Sequence, residues 1–120
     1  MPYVVRAFPI IRPVAELDKF LAELAGAKRA ETDKFYMQYG VQHESAHLQK
    51  TAGGGLLLIV VTVLVDHDEA APRYRVASEE FDQWFKSQIL HLSGIDPNVQ
   101  PLGPPTTEVF SWKAPAADAA

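Results

Sequence analysis

The amino-acid sequence predicts a single α+β domain with the element order β-α-β-β-α-β. That order is the ferredoxin-like, split βαβ arrangement with an antiparallel four-stranded sheet. Two observations lead to it: an apolar run at 56–65 (LLLIVVTVLV) among other β-rich segments, and two stretches with apolar residues at helical spacing. The chain has 120 residues, of which 48% are hydrophobic, enough for one core. We assign the domain to 1–113 and expect the Ala-rich tail at 114–120 to be disordered.

The first half of the chain predicts one strand and one long helix. The segment 3–8 (YVVRAF) is rich in β-branched and aromatic residues and is followed by Pro9. An apolar stripe then runs from Val14 through Tyr39, with charged residues off the stripe. We expect one helix over 13–39, weakened but not broken by Gly26, since a glycine there costs about 1 kcal/mol.

A hairpin is predicted in the middle of the chain. Gly40 ends the helix as its C-terminal cap, and the segments 41–51 and 56–65 flank three glycines at 53–55. The second of these segments is apolar at nearly every position, which is typical of a strand covered on both faces.

The remaining elements are a connector, a helix and a short strand. The polar segment 66–77 (DHDEAAPRYRVA) is expected to be a connector. A second helix is predicted from Ser78, its N-cap, to the residue before Gly94. A last strand is predicted at 108–113 (EVFSWK).

Composition excludes several classes of function. The chain has no cysteine, which excludes disulfides and thiolate metal sites. Its net charge is −4 and its basic residues are dispersed, so no nucleic-acid partner is expected. The apolar run at 56–65 is half the length of about 20 residues that a membrane helix needs, so no membrane partner is expected. The first ten residues lack the pattern of a signal peptide, which favours a cytoplasmic location.

Two short motifs carry a resemblance to a known family. They are Gly-Val-x-x-Glu at 40–44 and Phe-Asp-x-Trp-Phe at 81–85. Together with the element order, they make the chain similar, from about residue 3 to 112, to an uncharacterised ferredoxin-like family of the dimeric α+β barrel superfamily. In that superfamily two four-stranded sheets meet across a homodimer with the helices outside. The resemblance therefore implies a homodimer in which the second face of the run at 56–65 lines the barrel interior.

The sequence also contains H-E-x-x-H, the signature of zinc peptidases, at 43–47. Zinc binding requires a helix, on which His43 and His47 are one turn apart. On a strand their Cα atoms are about 13 Å apart, too far for one ion. Because Gly40 precedes the motif and Gly53 follows it, we predict a strand and no metal.

The strand also decides where the polar side chains of this segment point. His43 and His47 share one face, and Glu44 lies on the other. Ala46 favours a helix-packing face on the Glu44 side, which directs both histidines into the barrel. Glu44 would then need a partner, and Arg6 on the first strand is one candidate. The opposite register, with Glu44 in the barrel, remains open.

Other residues have a functional and an ordinary interpretation. Trp84 is either the wall of a ligand pocket or part of the core. His91, like His47, is either an axial haem ligand or a surface histidine. His67 lies between two aspartates in a segment expected to be a solvated loop. No cofactor is predicted.

Taken together, the sequence favours a dimeric barrel that binds a small apolar or aromatic molecule, with or without a cofactor-free enzymatic activity. The predicted pocket residues are His43, Glu44, His47, Trp84 and Arg6. Two alternatives remain: a structural or interaction dimer whose interior is filled by side chains, and the H-E-x-x-H zinc hydrolase. A haem-dependent oxygenase is a weaker option.

Overall fold

The computed structural model describes residues 3–101, 103 and 106–116. Within these residues the fold is mixed α+β, with four helices and a three-stranded antiparallel sheet. The elements, in chain order, are β1 Tyr3–Ile10, α1 Val14–Ala25, α2 Arg29–Gln38, β2 Val41–Lys50, β3 Leu56–Leu64, α3 His67–Val76 and α4 Glu80–Ser93. The predicted α+β class is confirmed.

The sheet has the order β1-β3-β2, with β3 antiparallel to both neighbours. β1 and β2 therefore run parallel to each other on either side of β3, as the predicted split βαβ arrangement requires. In this register Arg6 of β1 is opposite Val60, and Glu44 of β2 is opposite Thr62. A bulge between Val41 and His43 interrupts the ladder at the start of β2.

The predicted hairpin between β2 and β3 is confirmed. The Thr51 amide donates to the Gly55 carbonyl over 2.8 Å, and the Gly55 amide donates back to the Thr51 hydroxyl over 3.0 Å. Gly54, at the tip, has a φ of 86°, a left-handed conformation that a residue with a Cβ rarely adopts.

The prediction of one continuous helix over 13–39 is wrong, because the chain turns at Gly26. α1 ends there, and the Glu23 carbonyl accepts from the Lys28 amide over 2.9 Å instead of continuing the helical ladder. A Cβ at Gly26 would lie 2.9 Å from the Ala22 carbonyl oxygen, so this turn requires glycine. The turn separates α1 from α2, which begins at Arg29.

The prediction of a connector at 66–77 is also wrong, because α3 forms there. The Asp66 carboxylate caps the helix by accepting from the amides of Asp68 and Glu69 at 3.0 and 3.2 Å. Acidic residues in the first turn and two arginines in the last complement the helix dipole. Pro72 lies inside this helix. Because proline removes an amide donor from the helical ladder, its presence argued against a helix in the sequence-based prediction.

α4 follows the prediction closely. It ends at Gly94, whose φ of 76° is the left-handed conformation of a helix C-cap. Its N-cap is Glu79 rather than Ser78. From this helix Phe85 reaches the core, and Asp82 and Lys86 are buried beside it.

The strand predicted at 108–113 does not form in the monomer. Residues 106–116 are exposed and have no regular secondary structure. The segment approaches β1 through side chains: the Thr106 hydroxyl donates to the Val5 carbonyl, and the Tyr3 hydroxyl donates to Glu108 over 3.0 Å. The hydrogen bonds found between β1 and this described segment are therefore made by side chains, and not by a backbone ladder. Of the predicted tail at 114–120, residues 117–120 lie outside the described residues.

The two faces of the sheet have different surroundings. The helices pack on the face that carries Leu58, Val60 and Leu64. The opposite face, which we call the open face, is apolar on β1 and β3 and polar on β2. Its residues are Val5, Ala7, Leu57, Ile59, Val61, Val63, His43, Ser45 and His47. None of these residues belongs to the core or lines the cavity described below.

Candidate functional site

A cavity of about 140 Å³ lies between the helices and the sheet. All three strands and all four helices contribute to its walls, which are mainly apolar. The polar side chains of its lining are Arg6, Tyr36, Tyr39, Glu44, Thr62 and Tyr74. The predicted pocket was placed inside the barrel, on the histidine side of β2; the cavity in the monomer is on the other side of the sheet.

Glu44 projects from β2 into this cavity. Its carboxylate accepts a hydrogen bond of 2.8 Å from the hydroxyl of Thr62, the residue directly opposite on β3. Burial raises the pKa of Glu44, and the hydroxyls of Tyr36 and Thr62 lower it by a smaller amount. The result is a carboxyl group that holds its proton to a higher pH than an exposed glutamate.

Arg6 projects from β1 into the same cavity. One terminal nitrogen donates to the Val5 carbonyl over 3.1 Å, and the other lies 3.4 Å from His67 Nε2. The Arg6 Nε is buried and has no hydrogen-bond partner among the described residues. Burial also lowers the pKa of Arg6. Within the described residues the guanidinium thus has one unsatisfied donor and no carboxylate partner.

The predicted Arg6–Glu44 pair does not form: no salt bridge joins them within the part of the chain that the structure describes. The register separates them by two strand spacings and two residues, which puts their Cα atoms about 12 Å apart. Both side chains line one cavity from different strands, so a molecule between them can contact both.

The contact of Arg6 with His67 fixes the tautomer of that histidine. A guanidinium only donates hydrogen bonds, so His67 Nε2 must accept. The proton of the neutral ring is then on Nδ1, which lies 3.3 Å from an Asp68 carboxylate oxygen. The segment predicted to be a solvated loop thus supplies a side-chain neighbour of the Arg6 head group.

Three tyrosines line the cavity, and each has a raised pKa. Burial is the main cause for Tyr36 and Tyr74, and nearby carboxylates add to it. The pKa of Tyr39 is raised by burial and by Asp82, to which its hydroxyl donates over 3.4 Å. All three phenols therefore stay protonated near neutral pH and act as hydrogen-bond donors.

His43 and His47 occupy a strand, as predicted, and are exposed on the open face. His47 Nε2 lies 3.0 Å from the Ser45 hydroxyl on that face. On this strand the Cα atoms of the two histidines are about 13 Å apart. No group of three potential metal ligands is found among residues 3–101, 103 and 106–116. The absence of zinc remains a prediction.

Trp84 packs against Phe20 and Phe81, with ring centroids 5.5 Å apart in each pair. The Lys28 ammonium lies 4.7 Å from the centre of its ring. Trp84 does not line the cavity, although its neighbour Phe85 does. His91 is exposed and pairs with Glu16 over 2.7 Å, so it lies on the surface between α1 and α4.

Four polar cavity residues were missed at the sequence level: Tyr36, Tyr39, Thr62 and Tyr74. Tyr39 was assigned to the apolar stripe of the first helix, and Tyr74 to the connector. Thr62 is the one polar residue in the run at 56–65, and a lone hydroxyl in an apolar strand was a usable signal of a polar partner opposite. Tyr36 lies beside the predicted stripe rather than on it, so periodicity gave no indication of its position.

The site brings together a cation with an unpaired donor, a carboxyl group whose pKa is raised by burial, and three phenols around an apolar volume. Such a set can orient a small molecule by hydrogen bonds while apolar contacts hold its body. No protein-family model, curated protein or solved structure matches the chain. Among the described helices, none has the length and apolar character required to span a bilayer.

Proposed function

We propose that the protein is a small-molecule-binding, ferredoxin-like α+β barrel that acts as a homodimer, in agreement with the resemblance of its sequence. The observation that carries the binding function is the cavity of about 140 Å³ between sheet and helices. Protein interiors are close-packed, with few voids larger than a water molecule. A volume that exceeds several waters and is lined by Arg6 and Glu44 is therefore best explained by a ligand.

The size of the cavity sets the size of the ligand. A dry apolar cavity of about 150 Å³ is known to bind benzene. The volume here is close to that, and Phe20, Phe35 and Phe85 supply aromatic walls. The ligand is therefore a molecule with about one ring, or an aliphatic body of similar size.

Filling the cavity should weaken ligand binding strongly. Val60 is on the cavity face of the central strand, and Val61 is on the open face. We expect Val60→Phe to weaken the binding of phenol at least tenfold, because the added ring occupies the ligand volume, while Val61→Phe leaves it within twofold. NMR titration of the amides of Glu44 and Thr62 measures both affinities. Equal phenol affinity in the two variants would contradict the cavity as the binding site.

The open face supports the homodimer. From strand spacings, three strands of about eight residues present about 400 Å² in plan, and the β1 and β3 parts of this face are apolar. The apolar β1 and β3 part is about two-thirds of this area, close to the size of the largest apolar patch on a typical monomer, which is often an interaction site. A second copy of the same face is a self-complementary cover related by a twofold axis.

The last segment of the chain supports a fourth strand in the dimer. Val109, Phe110 and Trp112 are 92%, 80% and 72% exposed, and on a strand Phe110 and Trp112 would share one face while Val109 would lie on the other. β1 is an edge strand, and the contacts of Thr106 and Glu108 already hold the segment beside it. Pairing of 108–113 with β1 would extend the face toward the area of about 800 Å² per partner of a stable interface.

A charge on the open face should prevent dimerisation. We expect Val61→Lys to raise the dimer dissociation constant at least 100-fold, because an unpaired ammonium would be buried between the sheets. Met37→Lys adds the same charge on α2 at a site that is 75% exposed and should leave the constant unchanged. Sedimentation velocity over a micromolar concentration series measures the constant. A wild-type protein that is monomeric throughout this range would refute the homodimer.

The open face equally favours one other function, that of a structural or interaction dimer with no ligand. The two functions predict different results for phenol binding and for the stability of a variant with a filled cavity. A purely structural dimer would bind no phenol and would tolerate Val60→Phe as a stabilising change, since filling an empty volume adds contacts.

A further inference from the structure

The state of Arg6 indicates what kind of molecule occupies the cavity. Its Nε donor is buried without a partner, and no carboxylate lies within ion-pair distance in the described part of the chain. A buried donor left unsatisfied is costly, and more so when it is charged. A ligand that brings an acceptor to this guanidinium removes that cost.

We propose that the cavity binds a small monocarboxylic acid with a single-ring or equally compact apolar body, its carboxylate on Arg6 and a hydroxyl, where present, directed at Glu44. This assignment rests on the proposed binding function. A carboxylate matches the planar fork of donors of a guanidinium and accepts two parallel hydrogen bonds from it. His67 contacts one terminal nitrogen of Arg6 and the Val5 carbonyl accepts from the other, so Nε and the second N–H of each terminal nitrogen are available to the acid.

The remainder of the lining selects against other charges. Among the described residues, the cavity lining contains one cation and is mainly apolar, so a dianion such as a phosphate monoester would be only half neutralised in a medium where isolated charge is unfavourable. A cationic ligand would lie in the same cavity as Arg6. Its counter-ion would have to be Glu44, a carboxyl group that burial keeps protonated to a higher pH.

The far end of the cavity accepts a hydrogen-bond donor. Glu44 and Thr62 form a hydrogen-bonded pair there, with the Tyr36 hydroxyl nearby. A carboxyl oxygen can accept more than one hydrogen bond, so the Glu44 oxygens have capacity for a ligand hydroxyl. An acid with a hydroxyl opposite its carboxylate would contact both ends.

Four probes of similar size test the assignment: benzoate, 4-hydroxybenzoate, phenol and benzylamine, titrated calorimetrically into the full chain at pH 7. We expect both acids to bind at least tenfold more tightly than phenol, and benzylamine not to bind. Arg6→Met keeps the length of the side chain and removes its charge. It should weaken benzoate at least tenfold and leave phenol within twofold.

The controls separate this inference from the proposed function. Arg12→Met removes an exposed arginine outside the cavity and should leave all four affinities unchanged. Arg6→Lys, which keeps the charge but loses the planar fork, should give an intermediate loss for benzoate and serves if Arg6→Met does not fold. If phenol binds as tightly as benzoate and Arg6→Met weakens neither, the binding function stands and the carboxylate assignment is overturned. If none of the four probes binds, both are overturned.

Discussion

Replacing Phe35 by alanine should lower the free energy of unfolding by about 3–5 kcal/mol, the range for deletion of a buried aromatic side chain. The ring is 5% exposed and lies at the centre of an aromatic cluster drawn from three helices. Its partners, at centroid distances of 4.6–5.7 Å, are Tyr36, Tyr39, Tyr74, Phe81 and Phe85. Because a small domain is stable by only about 5–15 kcal/mol, this loss removes much of the margin.

Equilibrium denaturation in urea measures the effect, and Met37→Ala is the matched control. Met37 lies two residues away on the same helix and is 75% exposed, so its loss should change stability by less than about 0.5 kcal/mol. A loss below about 1 kcal/mol for Phe35→Ala would mean that the cluster is not packed as the structure has it.

Glu44→Gln should stabilise the protein at neutral pH and have little effect in acid. The pKa of Glu44 in the folded protein is raised above its ordinary value of 4.5, chiefly by burial. Between pH 4.5 and the folded pKa, the folded state binds more protons than the unfolded chain, so the free energy of unfolding falls as the pH rises. Glutamine is uncharged, has nearly the same shape, and can still accept from Thr62.

We expect a gain of about 1–3 kcal/mol at pH 8, the range for an incompletely satisfied buried polar group, shrinking toward zero below pH 4.5. Urea denaturation of both proteins from pH 4 to pH 8 gives the difference. Glu31→Gln changes an exposed glutamate and should show no such pH dependence. A Glu44→Gln variant less stable than the wild type at pH 8 would show that the ionised carboxylate is stabilised in the fold.

The parts of the fold that the sequence predicts well are those in which local preference and burial agree. The hairpin at 53–55, the apolar strand after it and the α4 stop at Gly94 depend on glycine geometry and a clear apolar pattern, and all three are found. α3 escapes prediction because Pro72 argues against a helix. The Asp66 cap with Glu69 three residues on is the signal that identifies it.

The break at Gly26 could not be decided from local preference alone. A glycine inside a helical pattern costs only about 1 kcal/mol, so the surrounding helix formers favoured continuity. What decides the matter is where α1 and α2 pack on the sheet, and that is a tertiary effect. The segment 108–113 has the opposite difficulty: its β preference is clear, but the structure has no strand there, because local preference does not supply a pairing partner.

The candidate site was likewise predicted correctly in some features and not in others. Arg6 and Glu44, both predicted as pocket residues, line one cavity, but the predicted pair between them does not form. Alternation along β2 correctly placed the histidines opposite Glu44. What alternation cannot show is on which side of the sheet a void remains, because a void depends on how four helices fit together.

The position of β2 at the rim of the sheet explains why a zinc-like motif appears in a strand at all. An edge strand offers unpaired amides and carbonyls to other chains, and proteins commonly protect such edges with polar and charged side chains. β3, which is hydrogen-bonded on both sides, is almost wholly apolar, whereas β2 carries His43, Ser45, His47, Gln49 and Lys50. The polar residues of β2 that produce the H-E-x-x-H motif thus also discourage aggregation of neighbouring molecules along this edge.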